Sequence, residues 1–123
     1  MAKGRLEHVN LTVSDIEREA ELFGRLLGWR QRWRGNAMNG GETIHVGEDR
    51  TYLALYTDGA DHGGQRKGRP LNHVGLLVDD LDHAERVVID SGLTPFNHGD
   101  YEPGRRFYFF DWDGIEFEVV SYE

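Results

Sequence analysis

The sequence predicts an α+β fold made of two βαβββ units in tandem. Three observations carry this. Leu6-Glu-His-Val-Asn-Leu-Thr-Val13 and Leu71-Asn-His-Val-Gly-Leu-Leu-Val78 share the pattern Leu-x-His-Val and end in Val. Each is followed by an acidic residue, Asp15 or Asp80, and a stretch of helical periodicity. Each half then continues with short strand-like segments, and at about 50 residues neither half buries a good core alone. Two halves side by side therefore make one domain, and a period that recurs only twice argues against a solenoid.

The elements follow in order. Leu6 to Val13 reads as a strand. Ser14 or Asp15 caps a helix running to about Leu27, with Ile16, Ala20, Phe23 and Leu27 at helical spacing and Gly28 as its stop. Trp29 to Trp33 alternates like a strand. Thr43 to Val46 and Thr51 to Tyr56 are two more, around a turn from Gly47 to Arg50. The first module thus spans about residues 5–57. A stretch from 58 to 70, rich in Gly, Asp, Lys and Arg, reads as the linker. The second module, about 71–122, repeats the plan: strand Leu71 to Val78, helix Leu81 to Asp90 with a stop at Gly92, strand Leu93 to Phe96, strand Arg106 to Phe110, turn Asp111 to Gly114 and strand Ile115 to Val120.

Composition excludes several classes. The 123 residues contain no cysteine, which removes disulfides, thiolate ligands and a cysteine nucleophile. A net charge of -8 opposes nucleic-acid binding, which demands an excess of Lys and Arg. The cluster Arg25, Arg30, Arg32 and Arg34 reads as a solvated strand face. No apolar run approaches the ~18 residues of a membrane span. The start, Met-Ala-Lys-Gly-Arg, lacks the apolar stretch of a signal peptide, so a cytoplasmic location is expected.

Strand side chains alternate between faces. In the first strand Leu6, His8, Asn10 and Thr12 share one face, while Val9, Leu11 and Val13 share the other and should pack under the helix. In the repeat, His73 and Gly75 face one way, and Val74, Leu76 and Val78 pack under the helix. In the last strand Glu116 and Glu118 oppose Ile115, Phe117 and Val119. His8, His73 and Glu118 therefore all lie on faces away from the helices. Two neutral imidazoles and one carboxylate, if they converge, form a facial triad that leaves coordination positions open for substrate, water or oxygen.

Two motifs resemble the vicinal oxygen chelate superfamily, which includes glyoxalase I, bleomycin-resistance proteins, fosfomycin-resistance enzymes and type I extradiol dioxygenases. One is His-Val-x-Leu-x-Val-x-Asp around His8 and His73. The other is Phe107-Tyr-Phe-Phe-Asp-Trp-Asp-Gly-Ile-Glu-Phe-Glu118. The resemblance spans Leu6 to Tyr122. It implies paired βαβββ modules forming an open, barrel-like sheet, with a divalent metal held by His8, His73 and Glu118. Fe(II) or Mn(II) is favoured and Zn or Ni is compatible. The fourth family ligand position falls on Ala54, which disfavours four-ligand glyoxalase chemistry.

The resemblance further implies a role for Tyr108, ten residues before Glu118, pointing at a metal-bound substrate. His98 is a candidate acid/base for a catechol-like substrate, although it lies one residue further upstream than the extradiol spacing and Trp112 replaces a proline. Asn10 stands where the fosfomycin branch has a threonine. Arg105 and Arg106 are candidates to hold an anionic group of the substrate. His45 reads as structural, and His62 and His83 as surface residues. The expected function is metal-dependent, dioxygenase-like chemistry on a small molecule. Fosfomycin-type opening is an alternative. So is a non-catalytic drug binder walled by Trp29, Trp33, Tyr52, Tyr56 and Tyr101. By analogy, a homodimer is expected, with no membrane or nucleic-acid partner.

Overall fold

A computed structural model describes residues 2–38, 40–66 and 68–123. Lys67, in the predicted linker, and Asn39, in the first module, lie outside the described residues, as does Met1. The element order is β1 (His8–Thr12), α1 (Ile16–Leu27), β2 (Arg30–Asn36), β3 (Glu42–Gly47), β4 (Tyr52–Thr57), β5 (Val74–Leu77), α2 (Leu81–Asp90), β6 (Phe96–Tyr101), β7 (Gly104–Phe110) and β8 (Glu116–Ser121). The fold is α+β, and the duplication read from the sequence is present as two βαβββ units. The strands form two open four-stranded sheets, ordered β1-β4-β3-β2 and β5-β8-β7-β6, that do not close into a barrel. The chain divides into one compact unit up to Ala60 and a second from Asp61.

In the first unit β1 pairs in parallel with β4, and β4 pairs antiparallel with β3. A parallel pair cannot be joined by a hairpin, so the chain crosses over through α1. Asp15 caps that helix, its carboxylate accepting from the Arg18 N–H at 3.0 Å. Gly28 ends it in the left-handed region at φ 70°, which costs a glycine nothing. Leu22, Phe23 and Leu26 of α1 are buried with Leu11, Ile44, Val46, Leu53 and Leu55, and α1 packs on β3 and β4.

The second unit repeats this arrangement. β5 pairs in parallel with β8, and β8 pairs antiparallel with β7. Asp80 caps α2 through the His83 N–H at 3.0 Å. Val87 and Val88 of α2 are buried with Leu76, Phe107, Phe109, Phe117 and Val119. The 5.3 Å stack of Phe109 on Phe117 joins β7 to β8 beneath the helix.

The structure corrects one region. The expected strand Leu93 to Phe96 begins only at Phe96 and runs to Tyr101, forming a hairpin with β7. Asn97, His98, Gly99 and Asp100 are poor strand formers, so their local signal was that of a loop. Pairing with β7 overrides it. The register shifts between Phe96 and Gly99, and Asn97 takes a φ of 55°. Such an inserted residue is a β-bulge. In the linker, Gln65 is tied to the turn before β8, its N–H donating to the Asp113 carbonyl at 2.8 Å. No described helix is long and apolar enough to cross a membrane.

Two substitutions test the account of the second unit. Phe109→Ala should cost about 3–5 kcal/mol, because it leaves a cavity under α2. Asp80→Ala should cost about 1 kcal/mol, the value of one helix cap. Urea unfolding of both variants checks the ranking, and equal losses would contradict it.

Candidate functional site

The polar face of the second sheet brings His73, Tyr108, Arg106 and Glu118 together. β5 runs parallel to β8 with Gly75 opposite Glu118, and β7 places Tyr108 opposite Glu118 on the other side. His73, just before β5, reaches across, and its Nε2 lies 3.0 Å from Glu118 Oε1. The other ring nitrogen is already engaged. His73 Nδ1 is 2.7 Å from Asn72 Oδ1, an oxygen that can only accept, so Nδ1 carries the proton. Glu116 Oε2 stands 4.0 Å from the same nitrogen. In the neutral ring Nε2 then directs its lone pair at Glu118.

The second oxygen of Glu118 is held separately. Arg106 donates to Oε2 at 2.9 Å, and both side chains are only 14% exposed. The Arg106 guanidinium also lies 4.8 Å over the Tyr101 ring. Oε1 faces His73, and the Tyr108 hydroxyl also hydrogen-bonds the Glu118 carboxylate. The Tyr108 ring meets His73 edge-on at 5.8 Å. Burial raises the Tyr108 pKa above its ordinary value, and the nearby charge of Glu118 raises it further. The phenol therefore stays protonated at neutral pH.

In the first unit His8 opens β1 opposite Tyr52 and stacks on that ring at 4.8 Å. Its Nδ1–H donates to Glu7 Oε1 at 2.9 Å. The repeat thus extends beyond the histidines. In both copies the residue just before the histidine, Glu7 or Asn72, accepts a hydrogen bond from Nδ1 and so leaves Nε2 available. Asn10 is exposed on the same face as His8, opposite Ala54.

His98 and Arg105 lie on the other face of the second sheet. The bulge at Asn97 turns His98 to the helix side of its sheet, where Nε2 meets Glu85 of α2 at 2.5 Å and the ring lies 6.0 Å from buried Phe107. Arg105 also points that way and binds Asp82 of α2 at 2.9 Å. Neither is brought to His73 and Glu118. Sequence reasoning did not foresee Asn72, Glu7 or the Arg106–Glu118 pair. The only available signal was the polar x in both Leu-x-His-Val segments.

His45, read as structural, shares the face of His8. It stacks on Tyr52 at 4.6 Å and contacts Trp33 at 5.0 Å. Burial lowers its pKa, and His8 and Arg32 lower it further. A base depressed in the folded state is protonated first in the unfolded chain. The stability gained by keeping it neutral is therefore present above 6.5 and lost as pH falls below that value. NMR titration should find the His45 ring protonating below 6.5. A midpoint at or above that value would contradict the geometry.

One family model, described as Glyoxalase/Bleomycin resistance protein/Dioxygenase superfamily, matches residues 5–119. No match is found among curated protein sequences. Among solved structures, the chain is similar to a glyoxylase/bleomycin resistance protein/dioxygenase domain from Frankia sp. EAN1pec, at 22% identity and a TM-score of 0.82, over 98% of each chain. It is similar to the fosfomycin resistance protein FosX from Mesorhizobium loti, at 22% identity and 0.75, over 98% of this chain and 92% of that one. It is also similar to a FosX variant from Listeria monocytogenes complexed with Mn(II) and 1S,2S-dihydroxypropylphosphonic acid, at 17% identity and 0.76, over 98% and 93%. At these identities the likeness is one of fold.

Proposed function

The chain belongs to the glyoxalase/bleomycin resistance protein/dioxygenase superfamily, and from that premise we propose that it is a divalent-metal-dependent enzyme whose substrate chelates the metal through neighbouring oxygens. One observation carries the reading. His73 Nε2 and Glu118 Oε1 approach to 3.0 Å with each group's other polar atom already engaged. Two lone pairs at that distance repel unless a proton or a cation lies between them, so a bound cation would take the place of the proton that otherwise bridges the pair. One imidazole and one carboxylate suit Fe(II) or Mn(II), and also accept Zn or Ni. His8, with its own Nδ1 engaged, is the proposed third ligand, and the working form is a homodimer.

A cation there would supply Lewis-acid stabilisation of charge on the substrate oxygens. The chain's own residues do the rest. Arg106 fixes the Glu118 carboxylate so that one oxygen faces His73. Asn72 fixes the His73 tautomer. Tyr108 keeps a proton that it can donate to an anionic substrate oxygen. Asn10 offers an amide to the substrate from the face of His8. His98 and Arg105 have no part in this scheme, because both are paired with carboxylates of α2.

Dioxygenase-like chemistry is the first reading of the reaction. Fosfomycin-type opening is the second, favoured by the likeness in fold to the Mn(II)-bound FosX variant. Anaerobically purified protein should bind about one divalent ion per chain. His73→Ala and Glu118→Ala should each weaken binding by more than about 100-fold, beyond the usual cost of a change in a ligand's supporting partner. Fe(II)-dependent oxygen uptake on catechols would select the first reading, and Mn(II)-dependent consumption of fosfomycin the second. A protein that binds no ion, or whose variants bind as wild type, would end both.

A further inference from the structure

β2 carries three arginines at alternate positions, and two are neutralised. Arg30 binds Asp49 at 2.5 Å, and Arg34 binds Glu17 at 2.9 Å and Glu42 at 3.1 Å. Arg32 differs. Among the described residues it makes a long bond, 3.3 Å, to the Glu48 carbonyl and lays its guanidinium 4.4 Å over the Tyr52 ring. The next residue, Trp33, is 47% exposed. Consecutive strand residues normally face opposite ways. Here the register with β3 shifts between Gln31 and Trp33, and Arg32 and Trp33 both meet the stacked rings of Tyr52 and His45.

Gly35 completes the arrangement. A Cβ at that position would come within 2.5 Å of Trp33 Cζ2 and 2.7 Å of Cη2. The bare backbone therefore lets the indole lie down against its own strand, with its open side to solvent. The result is an exposed indole tilted against His45 and, over the neighbouring Tyr52 ring, a cation that has no carboxylate partner among the described residues. His45, its pKa lowered, adds no charge at neutral pH. The chain as a whole is at -8, so anion affinity here would be local to Arg32.

We propose that Trp33 and Arg32 form a binding subsite for a planar aromatic carboxylate, its ring stacked on the indole and its acid group on the guanidinium. A ring alone would select any aromatic molecule and an arginine alone any anion; the pair selects both features in one ligand. The subsite deepens the proposed function by naming a substrate class. It rests on that reading only in taking the His8 face as the one that meets substrate.

The test uses the full chain freed of metal with EDTA, so that its outcome is independent of metal analysis. 2-Naphthoate, 2-naphthalenemethanol and cyclohexanecarboxylate are titrated while the Trp33 indole and Arg32 guanidinium resonances are followed by NMR. A Trp33→Phe variant assigns the indole. 2-Naphthoate should bind about tenfold more tightly than either control, as expected for one added charge-assisted contact. Arg32→Gln should remove its advantage over the alcohol, and Arg32→Lys should keep part of it. Gly35→Ala, which displaces the indole without touching charge, should weaken both aromatic probes and leave cyclohexanecarboxylate unchanged. Equal affinity for all three probes, or shifts confined to Trp29 and Trp112, would overturn the proposal. The same spectra report whether each variant is folded.

Discussion

The parallel pairing of the first and last strands of each module is the constraint on which the rest depends. β1 lies against β4, and β5 against β8. Parallel neighbours demand a crossover, and the crossover is a helix that must bury its apolar stripe on one face of the sheet. That face takes Phe107, Phe109, Phe117 and Val119 in the second module, all fully buried. The opposite face is relieved of core duty. Because side chains alternate, Tyr108, Glu118 and Arg106 are directed there together.

The polar face is held by engaged partners rather than by exposure alone. A carboxylate that is 14% exposed would be costly without compensation. Arg106 supplies it at one oxygen and His73 meets the other. Arg106 in turn rests on the Tyr101 ring, which belongs to the hairpin strand that the sequence did not reveal. The hairpin therefore supports the carboxylate indirectly, and the same bulge that builds it turns His98 away. One inserted residue decides which side chains can share the site.

Much of this was legible in the sequence. Period two placed His73 and Glu118 on faces away from the helices, the resemblance implied the orientation of Tyr108, and the helix α2 runs over the residues expected, Leu81–Asp90. Two kinds of feature were not legible. Bulges break period two, so the side of the sheet on which His98 and Arg32 lie could not be counted from neighbours. Partners distant in sequence gave no local signal either: Arg105 finds Asp82 and His98 finds Glu85 only because α2 packs on β7 and β8. Asn72 and Glu7 were visible as letters, and only the hydrogen bonds give them meaning.

The central claim is that His73 presents Nε2, with Nδ1 protonated, to a cation it shares with Glu118. Long-range nitrogen–proton correlation NMR of the histidine rings tests it most directly, with the metal-free protein titrated with diamagnetic Zn(II). The His73 ring is expected to keep a proton on Nδ1 and to show a saturable Zn(II)-dependent shift at Nε2 that disappears in Glu118→Gln. A proton fixed on Nε2, or a ring indifferent to Zn(II), would contradict it.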